Sequence, residues 1–324
     1  MQRRQAPPTV SRLYGFFGFT LHPLFMSSVV HYTQCPVCSS QQIHPLLTVK
    51  DYTVSGEPFV IWQCSHCCLR FTQDVPNENA IGSYYKSPDY VSHTNTNKGL
   101  INRAYQKVRA VTLQQKAKLI VQYTGMEKGN ILDVGCGVGA FLYTMKEKGW
   151  QVTGTEPDAG ARMVAKETFG IDALDSAALA TLPQHSFQAI TLWHVLEHIH
   201  QLHEYIDTLK KLLAANGKLF IAVPNYQSLD AAIYGLAWAA YDVPRHLYHF
   251  TPKAMEVLMQ QHGLQIIAKK PMWFDSFYIS LLSSKYRNGR THWLSATING
   301  LRSNAKALGN VDQCSSVIYI IGQE

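Results

Sequence analysis

The chain has 324 residues, a formal net charge of +7 at pH 7 and seven cysteines. This length suffices for one complete α/β domain and a small additional module, and the apolar fraction of 46% is ordinary for a globular protein. No apolar run reaches the roughly eighteen residues that a membrane-spanning helix requires. The composition therefore excludes a membrane-spanning protein, and we expect a soluble, cytoplasmic chain without a membrane partner.

Residues 1–26 form an ambiguous N-terminal tail. Arg3 and Arg4 precede an aromatic, apolar run, as in a signal peptide, but that run is short, contains glycines and has no small-residue cleavage site. We expect a disordered extension, or a true start at Met26.

Residues 27–78 contain two C-x2-C pairs separated by 25 residues. Four thiolates in two such pairs can complete a tetrahedral structural zinc site, whereas redox chemistry and unrelated structural pairs are the alternatives. We expect a small zinc-ribbon-like module that depends on its metal for stability. The predicted ligands are Cys35, Cys38, Cys64 and Cys67, with Cys68 or His66 as possible substitutes.

The charges of this module argue against nucleic-acid binding. Lys50 and Arg70 are offset by Asp51, Glu57 and Asp74, so no basic face is expected. Residues 79–128 then form a helical connector. The family resemblance given below implies that this connector covers a cofactor, with Tyr85 or Tyr90 as candidate pocket residues. Its helix, predicted over 99–123, carries several lysines and arginines, which we expect on a solvated face; the alternative is attraction of an anionic substrate.

The stretch Ile131–Leu142 organises the rest of the chain. An apolar run ends in an acid, a glycine-rich turn follows, and a helix begins near Gly139. This pattern is typical of a strand, a tight turn and a helix that bind a nucleotide-like ligand. The spacing also fits a dinucleotide fingerprint, but the Asp133 carboxylate would repel a pyrophosphate and would suit the ammonium group of S-adenosylmethionine. Gly135, Cys136 and Gly137 are the expected close contacts.

Alternating strands and helices follow from residue 129 and predict a parallel sheet. The second strand ends at Glu156, 23 residues after Asp133, where a carboxylate can accept both ribose hydroxyls. Pro157 is expected beside the cofactor, and Asp175 or Ser176 near the adenine.

The fourth strand runs into the block His194–Ile199. His198 is the predicted general base, with Glu197 orienting it, and His194 is expected beside the cofactor. Two alternatives stay open. His194, Glu197 and His198 match a metal-binding spacing on one helix face, or they only cap and pack the start of a helix.

A dense polar and aromatic segment, Tyr241–Pro252, follows the fifth predicted strand. The family resemblance given below implies a substrate-binding insertion over about 225–252 that contains this segment. Arg245 could clamp a carboxylate or phosphate through its planar guanidinium. His246 or His249 could be an alternative base. A hydrogen-bonded loop that seals the pocket is the competing interpretation.

Three of these motifs resemble the class I S-adenosylmethionine-dependent methyltransferases. Ile-Leu-Asp-Val-Gly-Cys-Gly-Val-Gly resembles motif I, Glu156-Pro157-Asp158 motif II, and the block ending in His-Val-Leu-Glu-His motif IV of small-molecule enzymes. The resemblance covers roughly residues 80–324. It implies a Rossmann-like, seven-stranded sheet with an antiparallel last strand, in a methyltransferase domain over 129–324.

The zinc module followed by these motifs is similar to deoxysugar C-methyltransferases, which continue into a further C-terminal domain. This chain ends after its last predicted strand, which puts a sugar substrate in doubt. We therefore predict methyl transfer to oxygen or carbon of a small molecule, which can be anionic. The alternatives are an RNA or protein methyltransferase, or a non-catalytic zinc adaptor with a degenerate fold. The oligomeric state stays undetermined.

Overall fold

The computed structural model describes residues 28–86 and 100–323, and for residues 100–105 it describes only the backbone. The predicted tail, the alternative start at Met26 and the candidate Tyr90 lie outside the described residues. Within the described part of the chain, no helix is both long and apolar enough to cross a membrane.

The N-terminal module consists of short antiparallel strands around the cysteine pairs. The strands are β1 (Val29–Val30), β2 (Ile43–Lys50), β3 (Pro58–Cys64), β4 (Arg70–Thr72) and β5 (Val75–Pro76). β2 pairs with β3, and β3 with β4, while β1 pairs with β5 in a separate two-stranded ribbon.

The larger domain begins with a long helix and then alternates strands and helices. Its elements are α1 (Leu100–Thr124), β6 (Asn130–Val134), α2 (Ala140–Glu147), β7 (Gln151–Thr155), α3 (Ala159–Phe169), β8 (Phe187–Trp193), α4 (Leu202–Leu212), β9 (Leu213–Pro224), α5 (Leu229–Tyr234), β10 (Tyr248–His249), α6 (Pro252–Gln261), β11 (Leu264–Pro271), α7 (Asp275–Asn288), α8 (Trp293–Gly309) and β12 (Ser316–Gln323).

The main sheet has the order β11-β12-β9-β8-β6-β7. β6 to β9 are parallel and β12 is antiparallel to both of its neighbours, so the Rossmann-like fold and its antiparallel last strand are confirmed. Among the described residues the sheet has six strands and not the expected seven. Between β7 and β8, Leu174 makes only an isolated bridge to Thr155 and adds no further strand.

The two parts of the chain share a sheet. β10, from the segment predicted to bind substrate, pairs antiparallel with β4, which gives the order β10-β4-β3-β2. Buried residues of the module and of the larger domain also form one core, in which Phe71 and Leu69 pack with Leu247 and Phe250. The module is therefore built into the fold at the loop that precedes α6.

Candidate functional site

The glycine-rich turn joins β6 to α2 at the carboxyl edge of the sheet. Gly135, Gly137 and Gly139 all have positive φ, and Gly139 stands immediately before α2. A Cβ on Gly135 would lie 2.6 Å from Val195 Cγ2, so a side chain would not fit there without displacement of Val195. A Cβ on Gly137 would meet nothing within 4 Å, which leaves open space for a ligand against the backbone.

Asp133 lies beneath this turn and is 2% exposed. Its Oδ1 accepts a hydrogen bond of 2.5 Å from Thr191 Oγ1 on β8. Burial raises the pKa of the Asp133 carboxyl to about 7, although that hydrogen bond and the positive charge of Lys116 act in the opposite direction. A cationic ligand group beside this carboxylate would therefore bind most strongly once the proton has left.

We expected the basic residues of this helix on a solvated face, but Lys116 does not lie on one. The side chain is partly buried, and its ammonium nitrogen lies 4.1 Å from the centre of the Trp193 ring. Burial lowers the pKa of this ammonium to about 8, against the attraction of Asp133 and Asp275. The prediction failed because the helical periodicity of α1 did not reveal which of its lysines meets buried carboxylates. Lys107 and Lys118 are exposed, as predicted.

Glu156 follows β7, beside the turn. Its Oε2 accepts a hydrogen bond of 3.0 Å from the Gly137 amide, and its Oε1 accepts one of 3.0 Å from the Asp158 amide. The carboxylate is thus fixed at the strand end with lone pairs still available to a ligand. Arg162 ties the neighbouring predicted residues together, since it donates to the Pro157 carbonyl and forms a 3.1 Å ion pair with Asp175. Cys136 is partly buried between the two strands, and burial raises the pKa of its thiol to about 12.

Glu197, His198 and His246 come together beyond the end of β8. Each can bring one ligand atom within 4.8 Å of those of the other two. The two histidine rings are 4.6 Å apart between centres and meet edge to face. Glu197 and His198 belong to a short 3-10 turn, Leu196–His198, and His246 comes from the loop that precedes β10.

Backbone carbonyls determine the tautomers of both histidines. Nδ1 of His198 lies 3.0 Å from the Arg245 carbonyl oxygen, and Nδ1 of His246 lies 2.8 Å from the Ala240 carbonyl oxygen. A carbonyl oxygen only accepts, so each Nδ1 carries a hydrogen, and in the neutral ring Nε2 holds the lone pair. The Tyr85 hydroxyl is also 3.0 Å from His198 Nδ1, which brings one of the predicted pocket tyrosines to this cluster.

Burial and the neighbouring His246 lower the pKa of His198 to about 4, although the carboxylates of Glu197 and Asp242 oppose this shift. His198 is therefore neutral at physiological pH. Its Nε2 lone pair can accept a proton or bind a cation.

The carboxylate of Glu197 is fully buried, and neither oxygen accepts a hydrogen bond from any described residue. Burial alone would raise the pKa of this carboxyl, but the contact with His194 and the charge of His246 lower it below its ordinary value. A buried, ionised carboxylate without a hydrogen-bond donor is costly, and such a group usually marks a ligand, ion or water.

His194 does not join the metal-binding trio that its spacing predicted. Its Nε2 donates a 2.8 Å hydrogen bond to Asp275 Oδ2, and its Nδ1 lies 3.4 Å from Glu197 Oε1. Burial alone would lower the pKa of His194, but these two carboxylates raise it to about 10, so the ring is a cation and offers no lone pair. The shared helix face is missing, because α4 begins only at Leu202 and His194 has a positive φ of 59°.

Arg245 does not form the predicted anion clamp. Its guanidinium is fully buried and makes ion pairs of 2.9 Å with Asp51 and 2.7 Å with Asp242. It also donates a 2.9 Å hydrogen bond to the Tyr84 carbonyl. Two carboxylates already neutralise this cation, so it fastens the loop to the N-terminal module and is not open to a substrate.

The four predicted zinc ligands converge in the module. The Sγ atoms of Cys35 and Cys67 are 3.5 Å apart, those of Cys38 and Cys64 are 3.6 Å apart, and all four lie within 4.8 Å of one another. A tetrahedral zinc ion with Zn–S bonds of about 2.3 Å separates its sulfur ligands by about 3.8 Å. The thiolates therefore fit the ion in number, chemistry and spacing. Neither Cys68 nor His66 belongs to this cluster among the described residues.

A cavity of about 260 Å³ lies between α1 and the connection from β11 to α7. Lys116, Lys270 and Asp275 supply charged groups to its wall, and Met272, Trp273 and Phe274 supply apolar surface. Asp275 also hydrogen-bonds His194, so the cavity shares a wall residue with the chain of ion pairs that leads to Glu197.

The sequence did not point to Asp275, Thr191 or Asp51. Each acts through a partner distant in sequence: Asp275 is 81 residues from His194, Thr191 is 58 from Asp133, and Asp51 is 194 from Arg245. No local spacing links such pairs. Only the position of Asp275, directly after an aromatic pair and at the start of a helix, offered a weak indication.

Comparison with known proteins gives the family of the chain. A family model described as "Methyltransferase domain" matches residues 105–269. The ubiquinone biosynthesis O-methyltransferase of Idiomarina loihiensis is 27% identical over 178 residues, which cover 50% of this chain and 72% of that protein. The enzyme of the same name from Glaesserella parasuis is 33% identical over 139 residues, which cover 39% of this chain and 59% of that protein. A solved S-adenosylmethionine-dependent methyltransferase from Archaeoglobus fulgidus aligns with a TM-score of 0.45 and 19% identity, over 67% of this chain and 94% of that one.

Proposed function

The chain belongs to the class I S-adenosylmethionine-dependent methyltransferases, and from this premise we propose that it methylates a small-molecule acceptor next to the Glu197–His198–His246 cluster. One observation carries the proposal. The open glycine turn, the buried Asp133 and Glu156 lie on adjacent strand ends. They stand beside a cluster in which the buried Glu197 carboxylate accepts no hydrogen bond from the described residues. Ligands of open α/β sheets bind at this edge.

Three groups of the chain would hold the cofactor. Asp133, once ionised, pairs with the methionine ammonium group, and Glu156 accepts the ribose hydroxyls with a carboxylate that two backbone amides already orient. The backbone of Gly135 and Gly137 approaches the cofactor closely because neither residue carries a side chain. Bound S-adenosylmethionine supplies an electrophilic methyl group on a sulfonium centre.

His198 acts on the acceptor. Its neutral Nε2 would take the proton from an acceptor hydroxyl or acidic carbon as that atom bonds the methyl carbon, and the electrons of the broken C–S bond would stay on the cofactor sulfur. The Glu197 carboxylate stabilises the imidazolium that forms, because it is buried and one of its oxygens lies within 4.8 Å of a ring nitrogen of His198. The ring is held in line by the Arg245 carbonyl, which fixes the hydrogen on Nδ1.

The cofactor assignment is tested by calorimetric titration with S-adenosylhomocysteine. We expect Asp133→Ala and Glu156→Ala to weaken binding at least tenfold. Asp172→Ala is the matched control, since this carboxylate is 77% exposed and pairs only with Lys166 at the surface. Equal binding by all four proteins would contradict the site.

We propose zinc as the ion of the four-cysteine cluster, on the sulfur distances given above. The ion would hold the end of β3 to the loop between β1 and β2, since Cys35 and Cys38 come from that loop and Cys64 ends β3. Metal analysis of the purified protein should give one zinc per chain, and Cys64→Ser should lose it. Purified protein with full thermal stability and no metal would contradict this proposal.

A second possibility is favoured by the Glu197 carboxylate, whose two buried oxygens accept no hydrogen bond from the described residues. A divalent cation bound by Glu197, His198 and His246 would satisfy both buried oxygens and both Nε2 lone pairs, and would lower the pKa of an acceptor hydroxyl. The two proposals differ in their response to chelation. The chelator should remove every metal ion except the zinc of the cysteine cluster. Methyl transfer that continues after this treatment supports His198 as a base. Methyl transfer that is lost and then restored by Mg²⁺ or Mn²⁺ supports the bound cation.

The acceptor class follows from the cavity beside Asp275. Trp273, Phe274 and Met272 suit a flat or aromatic molecule, and Lys116 and Lys270 suit an anionic group on it. We therefore propose an aromatic or conjugated acceptor with an acidic hydroxyl, and O-methylation in preference to C-methylation. Curated relatives named for O-methylation in ubiquinone biosynthesis support this choice.

A further inference from the structure

Helix α8 buries its small side chains and exposes its large ones. The buried positions are Ala296, Gly300, Ser303 and Ala307. A helix that serves only the fold normally turns its large apolar residues to the core. The reverse arrangement here leaves the bulky face of α8 without a partner among the described residues.

The exposed face is a continuous apolar stripe. Its residues follow one another at spacings of three and four, so they share one side of the helix. Leu294 is 78% exposed, Leu301 55% and Leu308 77%. Together with Ile298 and Ala305, these residues form what we call the α8 stripe.

The helix cannot roll to bury this stripe. Ser303 donates a 2.6 Å hydrogen bond to the buried carboxylate of Asp230, and the Asn304 amide donates one of 2.8 Å to the Trp273 carbonyl. At Gly300 a Cβ would already approach Phe277 to 2.8 Å, so α8 sits on α7 at the closest distance that the backbone allows. The apolar stripe is therefore held outward by the packing of the opposite face.

The charges around the stripe are all of one sign. Residues 276–311 contain five lysines and arginines and no aspartate or glutamate. Arg302 and Lys306 flank the stripe, Arg290 lies in the turn before α8, and all three are exposed. No ion pair involves these three residues in the described part of the chain, and Trp293, 56% exposed, stands at the start of the helix.

We propose that α8 docks on the surface of an anionic lipid bilayer, with the α8 stripe among the acyl chains and its cations at the lipid phosphates. An amphipathic helix with leucine and tryptophan on one face and lysine and arginine beside it is the arrangement that binds in the plane of a membrane interface. A spanning helix is not needed for this mode, although it departs from our expectation of no membrane partner. A second copy of the chain is disfavoured, because a twofold interface through this face would bring the two sets of cations together.

The test is flotation of the full-length protein with vesicles of phosphatidylcholine containing about one quarter phosphatidylglycerol, and with pure phosphatidylcholine vesicles. The variants are the double substitution Leu301→Glu and Leu308→Glu, and the double substitution Arg302→Gln and Lys306→Gln. Met163→Glu is the matched control, because this apolar side chain is 58% exposed on α3, away from α8. Thermal melting and titration with S-adenosylhomocysteine establish that each variant is folded, independently of the vesicles.

We expect the wild type and Met163→Glu to float with the anionic vesicles, and both double variants to bind at least tenfold more weakly. Added salt should weaken binding, since the phosphate contacts are exposed. Failure of the wild type to float, or equal flotation of all variants, overturns the proposal. It is also overturned if sedimentation velocity reveals a dimer that the leucine variant converts to a monomer, because the stripe is then covered by a second copy.

Discussion

Thr72 Oγ1, at the end of β4 in the N-terminal module, donates a 2.8 Å hydrogen bond to the backbone carbonyl of His246. The Thr72 amide donates to the Leu247 carbonyl, and the Leu247 amide donates to the Glu197 carbonyl at 2.8 Å. The backbone of the His246 loop is thus hydrogen-bonded on one side to the cysteine module and on the other to the turn that carries Glu197 and His198. The module therefore helps to position the loop of the Glu197–His198–His246 cluster, although it contributes none of that cluster's side chains.

Thr72→Val should therefore lower the rate of methyl transfer and leave the cofactor site intact. The substitution removes a buried hydrogen bond, with a cost of about 1–3 kcal/mol in stability because the His246 carbonyl loses its donor. We expect kcat to fall about tenfold and the affinity for S-adenosylhomocysteine to stay within twofold. Thr48→Val on β2 is the control, since Thr48 is exposed. A parallel loss of cofactor affinity would show that the module supports the whole fold and not this loop.

The elements that the sequence predicted well are those with local patterns. The turn at Gly135–Gly139 and the acids Asp133 and Glu156 follow from spacing alone, and the structure puts them on neighbouring strand ends. The cysteine pairs likewise converge. The block His194–His198 was harder, because a 3-10 turn and a positive φ replace a helical arrangement of these residues. Arg245 was assigned to a ligand because its partner Asp51 is 194 residues away, and such a distance leaves no local pattern. Its second partner, Asp242, is only three residues away, but that spacing alone does not show that the pair is buried.

Cofactor affinity should depend on pH through Asp133. The pKa of this buried carboxyl is raised to about 7, so below that pH the free protein carries a proton that a cationic ligand must displace. The affinity for S-adenosylhomocysteine should fall as the pH decreases below 7, by up to tenfold per unit, and level off above about pH 8. Calorimetric titration from about pH 5.5 to about pH 8.5 measures this pH dependence of the affinity. Asp133→Asn, which cannot ionise, should bind weakly with no such slope.

The raised pKa of the Asp133 carboxyl also makes the free energy of unfolding depend on pH. In the unfolded chain Asp133 ionises near pH 3.9, so between that pH and about 7 the native state binds one proton more than the unfolded state. The contribution of Asp133 to the free energy of unfolding is largest at low pH and is lost as the pH rises toward 7. Asp133→Asn should therefore be more stable than the wild type at pH 8 and closer to it at pH 5. Denaturation in urea at both pH values tests this, and an unchanged difference would contradict it.

Glu197→Gln should reduce methyl transfer strongly without loss of cofactor. The amide keeps the shape of the side chain but removes the buried negative charge that we assign to stabilising the His198 imidazolium, and general acid–base groups contribute about 10²–10⁴-fold. We expect kcat to fall within that range once an acceptor is known, and S-adenosylhomocysteine to bind as in the wild type. Glu204→Gln, an exposed carboxylate in the first turn of α4, is the matched control. Normal turnover by Glu197→Gln would remove this residue from both proposed mechanisms.

The ion pairs of Arg245 should matter for stability and not for substrate charge. Arg245→Met leaves Asp51 buried without its cation, and breaking a buried pair from one side costs about 3–5 kcal/mol. Lys166→Met breaks the ion pair between Lys166, which is 69% exposed, and Asp172, which is 77% exposed. This substitution should change the free energy of unfolding by less than about 0.5 kcal/mol. Urea denaturation compares the two variants. If Arg245→Met is as stable as the wild type but discriminates against anionic acceptors, the guanidinium reaches the substrate after all, and the ion pairs described here open during binding.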